Sequence, residues 1–211
     1  MMKTQKRVVA IIALLAIAGL VKLPSANAAT ATYGVNLQTD VQEVITLDCG
    51  GATVNLGNLT PGTPVTGSSV CTGTTNANGG YNLAVRRDDA SDTTMDKVSD
   101  ATTNIADKTA WDPTANTGAG NAATWAGTGL GFTVFASTAD KNTTWWGTGT
   151  TVTDANNLYA GFASTQTDIM RYTSYNGAPT TTSVGYKLDV PATQRSGAYD
   201  GSITYQATTT P

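Results

Sequence analysis

Apolar side chains in this chain recur at every second position, in short runs separated by Gly, Pro and Asn. That period belongs to a half-buried β-strand and cannot give a helix one continuous apolar face. Tyr81, Leu83 and Val85 alternate with Asn82, Ala84 and Arg86. Leu130, Phe132, Val134 and Ala136 make a second apolar face. Val184, Tyr186, Leu188 and Val190 make a third, and Ile203, Tyr205 and Ala207 a fourth. Nearer the N-terminus Val35, Leu37 and Thr39 alternate, as do Ile45, Leu47 and Cys49, with a bulge or break expected at Gln42-Glu43. Thr53 to Leu56 and Leu158 to Phe162 are shorter candidates. Turns are expected at Thr60-Pro61-Gly62-Thr63-Pro64, Asn78-Gly79-Gly80, Asn176-Gly177 and Arg195-Ser196-Gly197. Scarce Glu, Lys and Leu leave little to build helices from, whereas abundant Thr suits strands. The expected fold is all-β: a single antiparallel β-sandwich of Ig-like or Greek-key type over residues 29–211.

One stretch departs from this pattern. Residues 88–126 are polar, carry Asp88, Asp89, Asp92, Asp96, Asp100, Asp107 and Asp112, and lack periodicity. They read as a long loop-rich insertion with one or two short strands. A helical turn within Ala101 to Ala110 is opposed by Thr102-Thr103.

Residues 1–28 have the parts of a secretory signal peptide in order: Lys3, Lys6 and Arg7, then the apolar run Val8 to Val21, then Ala26-Asn27-Ala28. The apolar run is too short for a stable membrane span, and no second one follows. Export to a secreted or cell-surface location is therefore expected, with no membrane span after cleavage. No Cys adjoins the cleavage site, so a lipid anchor is not expected. Export also makes a disulfide between Cys49 and Cys71, the chain's two cysteines, the expected state.

Charge and residue types narrow the chemistry. The formal net charge is −3, and four of the twelve basic residues (Lys3, Lys6, Arg7 and Lys22) lie in the signal segment. An acidic mature chain without a basic cluster argues against nucleic acid as a partner. The chain has no histidine, which removes Ser-His-Asp triads, Cys-His pairs and His-ligated metal. Gly127 to Gly131 leads into an expected strand rather than a helix, so it is no phosphate cradle. Glu43 is the sole glutamate, and the loop aspartates read as solvated rather than catalytic. The Asp88–Asp100 run lacks the spacing and glycine of an EF-hand loop. No catalytic residue, metal or cofactor is expected.

The tryptophans are the remaining ligand-binding candidates: Trp111, Trp125, Trp145 and Trp146. Core or loop-anchoring roles account for most such residues. Trp145-Trp146 is the exception, because adjacent residues of an extended segment point to opposite faces and one ring would then meet solvent.

The segment from Leu188 to Thr208 ends one strand in Val190-Pro191-Ala192, passes Gln194 and Gly197, and opens a last strand after Gly201. It resembles the closing hairpin of secreted bacterial β-sandwich surface proteins: WxL-like cell-wall proteins, spore-coat-U-like proteins and fimbrial subunits. The segment Cys71 to Val85, with Thr74-Thr75-Asn76 before Gly80-Tyr81-Asn82-Leu83-Ala84-Val85, is similar to their early strands. None of the four tryptophans is followed at two residues by Leu, so the WxL signature itself is missing. The resemblance implies a structural role at the cell surface and supplies no catalytic residue.

The expected function is thus an exported, non-enzymatic surface or extracellular protein acting in adhesion or assembly. Its partners would be a cell-envelope component, a glycan or other surface proteins. One alternative is a carbohydrate-binding module using the tryptophans. Another is a fibre or pilus subunit that self-assembles by donating the strand Ala29 to Asp40. An N-terminal strand tied into its own sheet is the more common arrangement and is expected here.

Overall fold

The computed structural model describes residues 29–51, 53–89, 92–138, 141–175 and 177–211; residues 1–28, read above as an export signal, and Asn176 of the expected Asn176-Gly177 turn lie outside them. The chain divides into two units, Met1–Asp40 and Val41–Pro211. Residues 29–40 of the first unit form neither strand nor helix, and every side chain among them is exposed.

The second unit is an all-β sandwich of antiparallel sheets. Its strands are β1 (Ile45–Asp48), β2 (Val65–Thr75), β3 (Tyr81–Arg87), β4 (Met95–Lys97), β5 (Asp100–Ile105), β6 (Ala123–Thr124), β7 (Gly129–Ser137), β8 (Leu158–Tyr159), β9 (Thr167–Tyr172), β10 (Thr180–Asp189), β11 (Tyr199–Gly201) and β12 (Ile203–Thr209). One main sheet has the order β1-β2-β10-β7 and the other β12-β3-β9. Small sheets β11-β4-β5 and β6-β8 complete the fold. In the first sheet Val184 stands opposite Ser69 on one side and Val134 on the other. In the second, Leu83 stands between Ala207 and Met170.

The core is apolar, but its sheets are also joined by hydroxyls. Phe132 stacks on Phe162 at 4.6 Å, and Tyr81 stacks on Tyr172 at the same centroid distance. Tyr81 Oη lies 2.7 Å from Thr180 Oγ1 of the opposite sheet. Tyr172 Oη reaches Thr182 Oγ1 at 2.5 Å, and Tyr205 Oη reaches Tyr186 Oη at 2.7 Å, which in turn meets Ser69 Oγ at 2.6 Å. Burial pushes the Tyr205 hydroxyl well above its ordinary pKa, so it stays protonated and free to donate. Buried threonines thus serve as partners for tyrosines, each pair satisfying groups that would be costly to bury alone.

The four strongest alternating runs are strands β3, β7, β10 and β12, and Ile45 to Asp48 is β1. Two long strands lacked a visible pattern. In β2, glycines stand where alternation would put large residues: a Cβ on Gly73 would lie 2.2 Å from Tyr81 Oη, and one on Gly67 would lie 2.6 Å from Val54 Cγ1. The apolar mass over β2 therefore comes from other segments. In β9 the adjacent Ile169 and Met170 are both buried, which breaks the period of two. Thr53 to Leu56 is no strand; Val54 and Leu56 instead pack against the core from a loop. The polar insertion holds three short strands, β4, β5 and β6, rather than one or two. The start of Ala101 to Ala110, where Thr102-Thr103 opposes a helical turn, lies in β5, as these β-branched residues favour extension.

Cys49 and Cys71 are bonded, 22 residues apart in sequence. The bond fixes the end of β1 to β2 beside the buried Cys71 sulfur. Cys71→Ser should lower stability by roughly 3 kcal/mol, read as a drop in urea midpoint at unchanged slope. An unchanged midpoint would show that the bond contributes nothing.

Candidate functional site

Three of the four tryptophans are core residues. Asn142 caps a single helical turn, Thr143–Trp146, by accepting from Trp145 N at 3.1 Å. On a helical turn, neighbouring residues do not point to opposite faces. Trp145 and Trp146 are accordingly 6% and 0% exposed, which corrects the expectation that one ring meets solvent. Trp111 lies 4.4 Å from Trp146 and 5.4 Å from Trp145. All three indole N–H groups are satisfied by backbone carbonyls: Trp111 by Asp168, Trp145 by Gly118 and Trp146 by Ile169. Trp125 stands apart and half-buried, edge-on to Tyr159 at 5.3 Å with Lys108 Nζ 4.2 Å above its ring. Lys108 Nζ also donates to the carbonyls of Ala126 and Thr128, so this pair pins a loop.

The aspartates are also spent on structure. Asp88 accepts from Ser202 and Thr204, and these hydroxyls hold its carboxyl below the usual pKa. Asp100 accepts from Thr102 and Thr103, and its pKa is lowered to about 2 chiefly by those bonds. Among the described residues no group of three or more His, Cys, Asp or Glu is placed to hold a metal ion.

Among the described residues, Asp107 is the one buried acid whose pKa is strongly raised. Its Oδ2 accepts from Thr94 N and Oγ1, both at 2.9 Å, and lies 3.8 Å from Arg87. Burial outweighs these partners, with a small push from Asp96, and raises the pKa to about 6. A raised folded-state pKa means the native protein binds the proton more tightly than the unfolded chain. This contribution is complete below about pH 4 and is lost as pH rises through about 6, a change of roughly 2–3 kcal/mol. Asp107→Asn should flatten the fall in stability between pH 4.5 and 7 in urea titrations; an unaltered fall would assign it to other groups.

A different part of the fold is left chemically unfinished. β12 pairs with β3 on one side, and no strand of the described residues pairs with its other side. Ile203, Tyr205 and Ala207 stand opposite Arg87, Val85 and Leu83 in the β3 ladder. They stay half-buried, whereas Val85 and Leu83 are closed to solvent. β1 touches β12 without sharing a ladder with it, and Ile45 and Leu47 are likewise half-buried against the core. The Ser202 carbonyl accepts from Asp88 N and the Gly80 carbonyl from Thr210 N, so the even-numbered residues of β12 turn their backbone groups to β3 and Ile203, Tyr205 and Ala207 turn theirs to the outer side. This edge is the kind of strand margin that recruits another chain.

The first unit carries the complementary pattern. Apolar or β-branched residues occupy every second position through Tyr33, Val35, Leu37 and Thr39, and Val41 continues the series in the second unit. Tyr33 is 92% exposed, Val35 70% and Leu37 92%. The expected N-terminal strand in its own sheet is therefore not formed, and no part of residues 29–43 belongs to a ladder. The sequence showed Val35, Leu37 and Thr39; what it could not show is that none of them joins a ladder.

No protein-family model matches the chain, and comparison with curated proteins finds no match.

Proposed function

We propose that this chain is an exported, non-enzymatic structural subunit of the bacterial surface that assembles by strand donation. The N-terminal segment of one copy lies along the open edge of β12 in the next. The observation that carries this reading is the exposed alternating segment Tyr33–Val41, which belongs to no ladder in a chain whose last strand has a free edge. An added strand gains main-chain hydrogen bonds from the edge and buries alternate side chains in the sandwich. The half-buried Ile45, Leu47, Ile203 and Tyr205 offer those side chains an apolar lining. Because donor and acceptor are different surfaces, the contact is heterologous and repeats head to tail. The disulfide supports an oxidising compartment. The carbohydrate-binding alternative has less support, because Trp111, Trp145 and Trp146 are buried with their N–H groups satisfied.

The test uses the full chain with its own donor blocked by Val35→Asp and Leu37→Asp. A fluorescent synthetic peptide of residues 29–44 should bind it one to one, and a scrambled peptide should not. Equal signals from both peptides, or none from either, would overturn the proposal.

A further inference from the structure

Asn76, one residue beyond β2, grips the chain just before it enters the sandwich. Its Oδ1 accepts from Val44 N at 2.7 Å, and its Nδ2 donates to the Gln42 carbonyl at 2.9 Å. The Val44 carbonyl accepts from Thr75 Oγ1 at 2.8 Å and from Asn76 N at 3.4 Å. Ile45 and Thr75 are the terminal pair of the β1–β2 ladder, so the Asn76 side chain stands in for the next pair and prolongs the line of β1 back to Gln42. Packing does not explain this grip: Val41 and Val44 are 80% and 61% exposed. Polar bonds alone hold the backbone in line.

The location gives the grip its consequence. The same β2–β3 turn holds the far end of β12, where Thr210 N donates to the Gly80 carbonyl at 2.9 Å. β1 therefore starts at the end of the sandwich where β12 finishes, and the two strands run in opposite directions. For the N-terminal segment to lie on β12 of its own domain, the chain must reverse immediately before Gln42. The clamp holds Gln42 to Val44 against such a reversal. The sequence from Val35 to Val44 also contains no Gly or Pro to turn on.

Resting on the strand-donation reading above, we infer that Asn76 is a positioning residue for assembly: it commits the donor segment to a second copy of the chain rather than to its own β12 edge. It takes no part in the donor–acceptor contact itself. Its loss changes where the segment goes, not how well an edge accepts one.

The experiment combines light scattering on the full-length chain with the labelled 29–44 peptide. Asn76→Ala in the otherwise native chain should lower the assembled fraction at least tenfold at a given concentration. The monomers that accumulate should refuse the peptide, because their edge is filled by their own segment. In the donor-blocked chain carrying Val35→Asp and Leu37→Asp, Asn76→Ala should leave peptide affinity unchanged. If Asn76→Ala assembles like the native chain, or if its monomers still take up peptide, the role assigned to Asn76 is wrong. If the donor-blocked chain with native Asn76 takes up no peptide, it is the strand-donation reading that fails. Should Asn76→Ala not fold, Asn76→Asp keeps the acceptor for Val44 N and loses the donor to Gln42. It should then show the same shift in smaller measure, and native assembly by it would overturn the inference.

Discussion

The full-length chain carrying Val35→Asp and Leu37→Asp is expected to stay monomeric at concentrations where the native chain forms head-to-tail oligomers. Both positions are open to solvent, so the substitutions should alter the stability of the domain by no more than about 0.5 kcal/mol. Assembly is a different matter. Burying a Val or Leu side chain contributes roughly 1.5–3 kcal/mol. Placing a carboxylate in the same apolar seam adds a desolvation cost with no cation given to offset it. Loss of two anchors thus amounts to several kcal/mol, or at least a thousandfold in association. Light scattering across a concentration series reads this directly. Oligomers of the same size from native and doubly substituted chains would mean that some other surface mediates assembly.

Trp146→Ala is expected to cost roughly 3–5 kcal/mol, enough to unfold a domain of ordinary stability at moderate urea. Trp146 is fully buried, 4.4 Å from Trp111 and 5.1 Å from Phe132, so truncation leaves a cavity at the centre of the aromatic cluster. It also deprives the Ile169 carbonyl of its indole donor. Trp146→Phe, which restores most of the volume but not the N–H, should recover more than half of the loss. A solvent-facing Trp146 serving a ligand would behave oppositely, with stability retained in both variants.

How much of this was legible depends on where each strand's apolar mass comes from. Strands that supply their own, such as Tyr81–Arg87 and Gly129–Ser137, announce themselves by period two. Strand β2 does not, because Gly67 and Gly73 yield their space to Val54 and Tyr81 from elsewhere in the chain. The tryptophan pair misled for a local reason. Asn142 starts a helical turn there, and a four-residue turn leaves too little sequence to show a helical period. The candidate site itself was half legible. Val35, Leu37 and Thr39 read as a strand, and donation stood as an alternative to self-pairing. The free edge of β12 is a property of strand order, which involves β3, β9 and β12 together and is written in no single segment. The grip of Asn76 on Gln42 and Val44 joins residues more than 30 apart and is invisible for the same reason.

Amide hydrogen exchange tests the central claim most directly. In the assembled native protein, amides of Tyr33–Val41 and the outer amides of Ile203–Thr209 should exchange at least a hundredfold more slowly than in the donor-blocked monomer, and both segments should slow together. Exchange that remains as fast in the oligomer as in the monomer at both segments would contradict strand donation.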